Sequence, residues 1–207
     1  MGRASRAQAA KHREQLIAAA SGLFQERGFQ VSLAELTGAV GLTTGGFYRH
    51  FESKDAILEE ATAHAFEELR ALLESFEAAH PGDYSAGRAK LIDYYLSPGH
   101  RDDTVHGCPA SGLNAAMSHQ PVHSQAKRRY VDGVRELAAW LEPAPSTTGQ
   151  SPAGDGPDEA VTQVSDEAYA KLCALVGALV LARATSGSAV SEQILTSAHR
   201  ALTAAGD

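Results

Sequence analysis

Between Ser32 and Phe51 two helix-start signals fall only eleven residues apart, which leaves room for two short helices and a tight turn. Ser32 and Glu35 have the S-x-x-E spacing of a capping box, in which each side chain satisfies an orphan backbone donor of the other. Leu33, Leu36 and Val40 then recur at three and four residues on one apolar stripe, and Gly41 stands where a left-handed C-terminal cap is wanted. Leu42 anchors the turn and Thr43 caps the second helix. Phe47 and Phe51, one turn apart, point inward, leaving Thr44, Gly45, Tyr48 and Arg49 on the outward face. Gly45 and Gly46 each cost about 1 kcal/mol relative to alanine inside a helix. Close approach of the helix start to another molecule would offset that cost. The pattern is a helix-turn-helix.

Apolar periodicity elsewhere is helical too, so the sequence predicts an all-α chain of about nine helices. A first helix over 10–27 buries Leu16, Ala19, Ala20, Leu23 and Phe24 against the helix-turn-helix and stops at Gly28, closing a three-helix N-terminal domain. Ser53 caps a long helix with Leu58, Ala61, Ala65, Leu69, Leu72, Leu73 and Phe76 on one face. At 1.5 Å per residue it reaches roughly 39 Å, enough to join a head to a distant body. Pro81-Gly82-Asp83 closes it, and helices over 85–96, 108–117 and 122–141 follow, punctuated by Pro98-Gly99 and Pro121. Residues 143–158 hold half of the chain's eight prolines and no apolar side chain larger than alanine, so a mobile connection is expected there, reaching to about 164. The expected division is a head over 10–70, with the helix-turn-helix at 32–51, and a larger C-terminal helical domain over 71–207.

A formal net charge of −7 by itself argues against nucleic acid. Its distribution argues the other way: residues 1–54 carry seven Lys or Arg against four acidic residues (+3), and 55–207 carry eleven against twenty-one (−10). A basic head on an acidic body is suited to one-ended docking on phosphate. Arg3, Arg6, Lys11 and Arg13 either add to that contact or form a solvated tail. The two cysteines lie far apart and suggest no disulfide framework. Without an apolar leader or a run of about twenty apolar residues, the expected place is the cytoplasm, with no membrane partner.

The run Gly-Leu-Thr-Thr-Gly-Gly-Phe-Tyr-Arg-His-Phe-Glu-Ser-Lys-Asp-Ala-Ile-Leu over 41–58 resembles the recognition helix and following junction of the TetR family of bacterial repressors. The Gly-rich first turn, the Phe47-Tyr48 pair, His50, Phe51 and Lys54 carry the likeness, which is strong over the first quarter of the chain. The resemblance implies a homodimeric transcriptional repressor that binds double-stranded, pseudo-palindromic operator DNA and is released by a small molecule. Thr44, Gly45, Tyr48 and Arg49 would meet DNA, His50 and Lys54 would lie on phosphates, and Ser32 and Thr43 near the DNA backbone. Arg49 is the expected base reader, because a guanidinium can engage guanine bidentately. Gly107-Cys108-Pro109 is similar to a subgroup of these regulators, and implies a cavity among the central helices lined by Tyr94, Tyr95, Cys108, Leu113, Met117, Tyr130, Val134 and Trp140. That lining suits a small hydrophobic or aromatic effector with one or two polar groups. The alternative is a helical ligand-binding protein or a thiol-based redox or electrophile sensor for which DNA binding is secondary; in the sensor, Cys108 begins a helix whose dipole favours the thiolate.

Between Leu172 and Ala182 no side chain is polar except that of Cys173. A helix apolar all round must be covered on every side, by a partner subunit or by the rest of its own domain. With the last helix it suggests a four-helix dimer interface including Leu172, Val176, Leu179, Val180, Ile194, Ala198 and Leu202. His100, His106, His119 and His123 crowd near Cys108, but Pro121 interrupts the helix that would align the last two, so no metal is expected. Ala110-Ser111-Gly112 lacks the first glycine of a nucleophile elbow and the strand to present it. No phosphate-cradling loop occurs, and the sequence offers neither a catalytic constellation nor a cofactor site.

Overall fold

A computed structural model of the chain describes residues 2–142 and 164–204, with side chains from residue 6 onward. It contains eleven α-helices among the described residues and no strand. They are α1 (Gly2–Arg27), α2 (Leu33–Gly38), α3 (Thr44–Phe47), α4 (Lys54–Ala79), α5 (Tyr84–Tyr95), α6 (Pro98–Asp102), α7 (Pro109–Gly112), α8 (Asn114–Ser118), α9 (Gln125–Trp140), α10 (Asp166–Ala184) and α11 (Ala189–Ala204). The count exceeds nine for two local reasons. Ser97 caps a short helix of its own, started by Pro98, and the stretch expected over 108–117 breaks at Leu113 into α7 and α8. The first helix begins at Gly2 rather than near Ala10, as its run of alanine, arginine and glutamine favours. The helix expected from Val122 starts at Gln125 instead, where the Ser124 hydroxyl accepts from the Lys127 N–H.

Two apolar clusters hold the chain together. The head cluster gathers Leu16, Ala20 and Phe24 of α1, Val31, Leu36, Phe47 and Phe51 around the helix-turn-helix, and Ile57, Leu58, Ala61 and Ala65 of α4. It is closed from the far side by Leu113, Met117 and Ala126, which follow in α7 to α9. The body cluster runs from Leu69 and Leu73 of α4 through Leu91, Tyr95 and Leu137 to Leu172, Leu175, Leu179 and Ala182 of α10, with Leu195 of α11. Each fully buried leucine contributes about 1.5–3 kcal/mol by leaving water. The helix α4 belongs to both clusters, so its N-terminal half is part of the head and its C-terminal half part of the body.

Small residues set how closely the helices approach. A methyl group on Gly133 of α9 would overlap the Phe66 ring of α4, with even the third-nearest ring atom only 2.6 Å away. Phe66 in turn meets Tyr130 edge-on at 5.8 Å, and the Tyr130 hydroxyl donates to the Ala110 carbonyl at 2.6 Å. At the other end of the body Arg183 of α10 closes α6: its guanidinium donates to the carbonyls of His100, Arg101 and Asp103 at 3.0–3.1 Å and to the Ser111 hydroxyl at 3.3 Å. Arg101 donates to the Ser191 hydroxyl at 3.0 Å and pairs with Asp102 and Glu192, tying α6 to α11.

The mobile connection expected over 143–164 lies outside the described residues except for Val164. That residue is buried in the body cluster, and Ser165 beside it is held by the Glu142 carboxylate. No described helix is long and apolar enough to cross a membrane.

Candidate nucleic-acid interface and central cavity

The helix-turn-helix is built by its caps. The Ser32 hydroxyl accepts from the Glu35 N–H at 3.2 Å while the Glu35 carboxylate accepts from the Ser32 N–H at 2.8 Å and from its hydroxyl at 2.7 Å. These Ser32 contacts, followed by that of Arg27, bring the Glu35 carboxyl down to about 2. Gly41 takes the left-handed conformation, φ 68°, at the turn. Thr43 caps α3 by accepting from the Gly46 N–H at 3.2 Å. The helix itself is only four residues long, and Tyr48, Arg49 and His50 continue from it as a turn.

Phe47 is fully buried and meets the Phe51 ring at a tilt, centroids 5.6 Å apart, which turns the intervening residues outward. Ser32, Thr43, Thr44, Gly45, Tyr48 and Arg49 are all exposed. Tyr48, 58% exposed, stands edge-on to Phe47 at 5.4 Å, so its ring is braced while its hydroxyl is free to meet another molecule. His50 is half-buried against His12, ring to ring at 6.5 Å; burial first, then the nearby charges of His12, Arg13 and Arg49, hold its pKa below the usual imidazole value. Lys54 is turned inward: its ammonium lies 4.1 Å from the Phe29 ring centroid and donates to the Phe29 carbonyl. Burial lowers its pKa. Reaching a phosphate therefore requires this side chain to give up both contacts.

The two glycines of α3 have no reason to be glycine inside this chain. Their φ values are not positive, a methyl on Gly45 would meet only the Thr43 hydroxyl at 3.9 Å, and one on Gly46 would make ordinary contacts at 3.6 Å and beyond. What Gly45 keeps open is space outside the protein.

In the body a cavity of about 180 Å³ opens between α1, α4, α5 and the segment from α6 to α7. Tyr94, Tyr95 and Cys108 line it, as the sequence suggests; the other five expected residues do not. Leu113 and Met117 face the head cluster, Tyr130 and Val134 pack on the side of α9, and Trp140 lines a separate outer groove of about 410 Å³ between α4 and α9. Helical spacing tells which residues share a face, but not into which of two adjoining clusters that face looks. The lining also includes Gln25, Leu69, Leu91 and His100, which the sequence does not single out. Gln25 sits in the head's first helix, and no periodic signal joins it to the body.

Cys108 is the residue before α7, not the first of it, and only 2% exposed. Burial pushes its thiol up, and a four-residue helix supplies little dipole to oppose that, so the thiolate is disfavoured. His100 is buried with both ring nitrogens engaged: Nδ1 lies 2.8 Å from the Tyr95 carbonyl and Nε2 accepts from the Cys108 N–H at 3.2 Å. It is a neutral strut between α5 and α7, consistent with burial lowering its pKa. His106, His119 and His123 are exposed, and among the described residues no three His, Cys, Asp or Glu are placed to share a metal ion.

The expected dimer residues divide. Leu172 and Leu179 are buried in the protomer's own core, because α10 turns that stripe toward α9 and α11. They are therefore not surface residues. Val176, Ile194, Ala198 and Leu202 are partly buried at the edge of that core, and Val180 is exposed. The uncovered apolar face of α10 consists of Tyr169, Cys173, Val180 and Leu181, the last 56% exposed.

Residues 16–61 match the family of bacterial regulatory proteins, tetR family. No curated protein matches the sequence. Solved structures with the same fold include the reduced form of NemR from Escherichia coli, 20% identical, with TM-score 0.68 over 91% of this chain and 95% of that one. A TetR-family transcriptional regulator from Agrobacterium tumefaciens is 17% identical, with TM-score 0.68 over 91% and 95% of the two chains. A TetR transcriptional regulator from Chloroflexus aurantiacus is 23% identical, with TM-score 0.68 over 95% and 96%.

Proposed function

The head matches the tetR family in sequence and the fold is shared with TetR-family regulators over nearly all the chain's length, and from that premise we propose that the protein is a ligand-released repressor that binds a pseudo-palindromic operator as a homodimer. The observation that carries the DNA-binding part is the outward face of the helix-turn-helix. There Thr44, Gly45, Tyr48 and Arg49 form one exposed surface on a basic head, with a glycine where the chain's own packing asks for none. Arg49 reads bases; Tyr48 contacts phosphate, and Lys54 swings out to do so. The exposed apolar stripe of α10 supports the dimer, since a partner's matching stripe would cover Val180 and Leu181. Release follows if ligand binds the DNA-incompetent dimer more tightly than the competent one, with α4 and α1 linking cavity and head. The buried, un-ionised state of Cys108 favours this reversible ligand over thiol chemistry.

The test is a titration of duplex DNA from upstream of the protein's own coding region across a range of salt. Binding that weakens linearly in log–log form is expected, since phosphate contacts release counterions. Tyr48→Phe and Lys54→Ala should weaken binding to operator and scrambled duplex alike. Arg49→Ala should lose about 1–3 kcal/mol of preference at one position in each half-site. Absence of any salt-dependent binding would defeat the reading; equal loss on both duplexes for Arg49→Ala would make Arg49 a phosphate contact.

A further inference from the structure

The central cavity carries two polar atoms without a well-formed hydrogen bond. Tyr95 is 1% exposed and Gln25 8% exposed, both line the cavity, and neither Tyr95 Oη nor Gln25 Oε1 makes a hydrogen bond of normal geometry, although the Cys108 thiol and the Ser111 hydroxyl stand beside Tyr95 Oη. Leaving such groups unmet in a buried site is unfavourable, because each has given up its hydrogen bonds to water. The amide nitrogen of Gln25 is already used, donating to the Val105 carbonyl at 3.2 Å, so the atom left over is an acceptor only. The tyrosine hydroxyl has its proton to donate.

Size and charge narrow what fits. An apolar cavity of roughly 150 Å³ is known to hold benzene, and the volume here is about 180 Å³. One ring with a small substituent fills it. No lysine or arginine lines the cavity, and its titratable Glu68 and His106 are exposed at the rim, His106 facing the Asp103 carboxylate at 3.3 Å, so an anion finds no partner inside. The Arg183 guanidinium does not line the cavity and is committed to the carbonyls of His100, Arg101 and Asp103 and to the Ser111 hydroxyl, so it offers a ligand no pairing either. Both ring nitrogens of His100 are committed, so it offers no free donor or charge. Leu69, Leu91, Ala65 and the ring of Tyr94 supply apolar walls.

We infer that the cavity takes an uncharged one-ring aromatic molecule bearing a hydroxyl, which donates to Gln25 Oε1 and accepts from Tyr95 Oη. This names the effector class for the ligand-released reading above and rests on it. It also fixes where α1 takes up the signal, because Gln25 belongs to α1. The ligand touches the head's first helix directly rather than acting on the head only through α4. The contact is stiff: a methyl on Gly22 would lie 2.6 Å from Val105 Cγ1, and one on Gly112 would lie 2.9 Å from Gln25 Cβ, so α1 and the 105–112 segment have little slack between them. Displacing Gln25 displaces α1.

The full-length protein is titrated calorimetrically with phenol, toluene and benzoate, beside Tyr95→Phe and Gln25→Met, each checked for wild-type helix content. Phenol is expected to bind about tenfold or more tighter than toluene, and benzoate more weakly than either. Tyr95→Phe removes a hydroxyl that makes no well-formed hydrogen bond in the protein, so the fold should keep its stability while phenol loses about tenfold and toluene keeps its affinity. Gln25→Met should lose phenol preference in the same way. Phenol binding no tighter than toluene, benzoate binding best, or equal affinity of wild type and Tyr95→Phe for phenol would each overturn the inference. If phenol binds as expected but leaves operator binding unchanged, the site stands and ligand release falls; if operator binds and phenol does not, the reverse holds.

Discussion

Gly45→Ala should make the protein more stable and its DNA binding worse. Gly45 is the second residue of α3, its φ is not positive, and the new methyl would meet only the Thr43 hydroxyl at 3.9 Å, so folding incurs no clash. The substitution removes up to about 1 kcal/mol of helix-propensity cost, with part of that lost because the site lies in the first turn of a short helix. A gain of about 0.5 kcal/mol corresponds to about 1–2 °C in a domain of this size. On DNA the sign reverses. If α3 lies with its first turn against the duplex, the methyl must be accommodated by shifting the helix, which loosens the Tyr48 and Arg49 contacts together. Overpacking of a closely fitted contact costs about 1–3 kcal/mol, which is about five- to 150-fold in affinity. Thermal unfolding without DNA gives the first number, and operator titration at fixed salt gives the second. Wild-type affinity in the alanine variant would refute the argument that the glycine serves a close external approach. A fall in unfolding temperature would refute the reading that the chain itself does not need it.

Gly133→Ala should lower stability by up to about 2 kcal/mol, the overpacking cost less the helix-propensity gain, because the methyl overlaps the buried Phe66 ring; combined with Phe66→Leu its effect should shrink, and a purely additive double mutant would argue against the clash. Leu181→Glu, at a site 56% exposed, should give a folded monomer in sedimentation that no longer binds operator. Leu179→Glu buries a charge in the subunit core and should instead unfold the chain. His50 has a folded-state pKa below 6.5, so the unfolded chain takes up its proton first and the free protein loses stability as pH falls through that value. A phosphate beside His50 acts in the opposite direction, so operator affinity should rise as pH falls from 8 to 6, and His50→Gln should reduce that slope; an unchanged slope would place His50 away from phosphate.

The helix-turn-helix was legible because its signals are local. Ser32 with Glu35, Thr43 before a glycine pair, and Ser53 before Lys54-Asp55 are cap chemistry that does not depend on the rest of the fold, and each cap is present. The body was legible in outline only. The spacing of Leu113, Met117, Tyr130 and Trp140 marks apolar faces, yet the stretch from α7 to α9 serves both clusters, Met117 and Ala126 in the head and Ala110 and Leu137 in the body, and spacing carries no information about which one a face meets. The uniform apolarity of α10 had the same limit: without the partners of Leu172 and Leu179, nothing separates a stripe that packs at home from one left for a partner. Gln25 and Gly133 were invisible because what matters is one long-range contact each, to Val105 and to Phe66.

Leu113, Met117 and Ala126 lie far along the chain from the helices whose core they seal. A fragment ending near residue 70 would strip that seal and expose the undersides of α1 and α4, so the DNA-reading unit is not a removable cassette. A chimaera that grafts residues 1–70 onto a different body needs compatible side chains at 113, 117 and 126 to fold at all. Exchange of heads between such proteins is thereby restricted to donors that already share this seam.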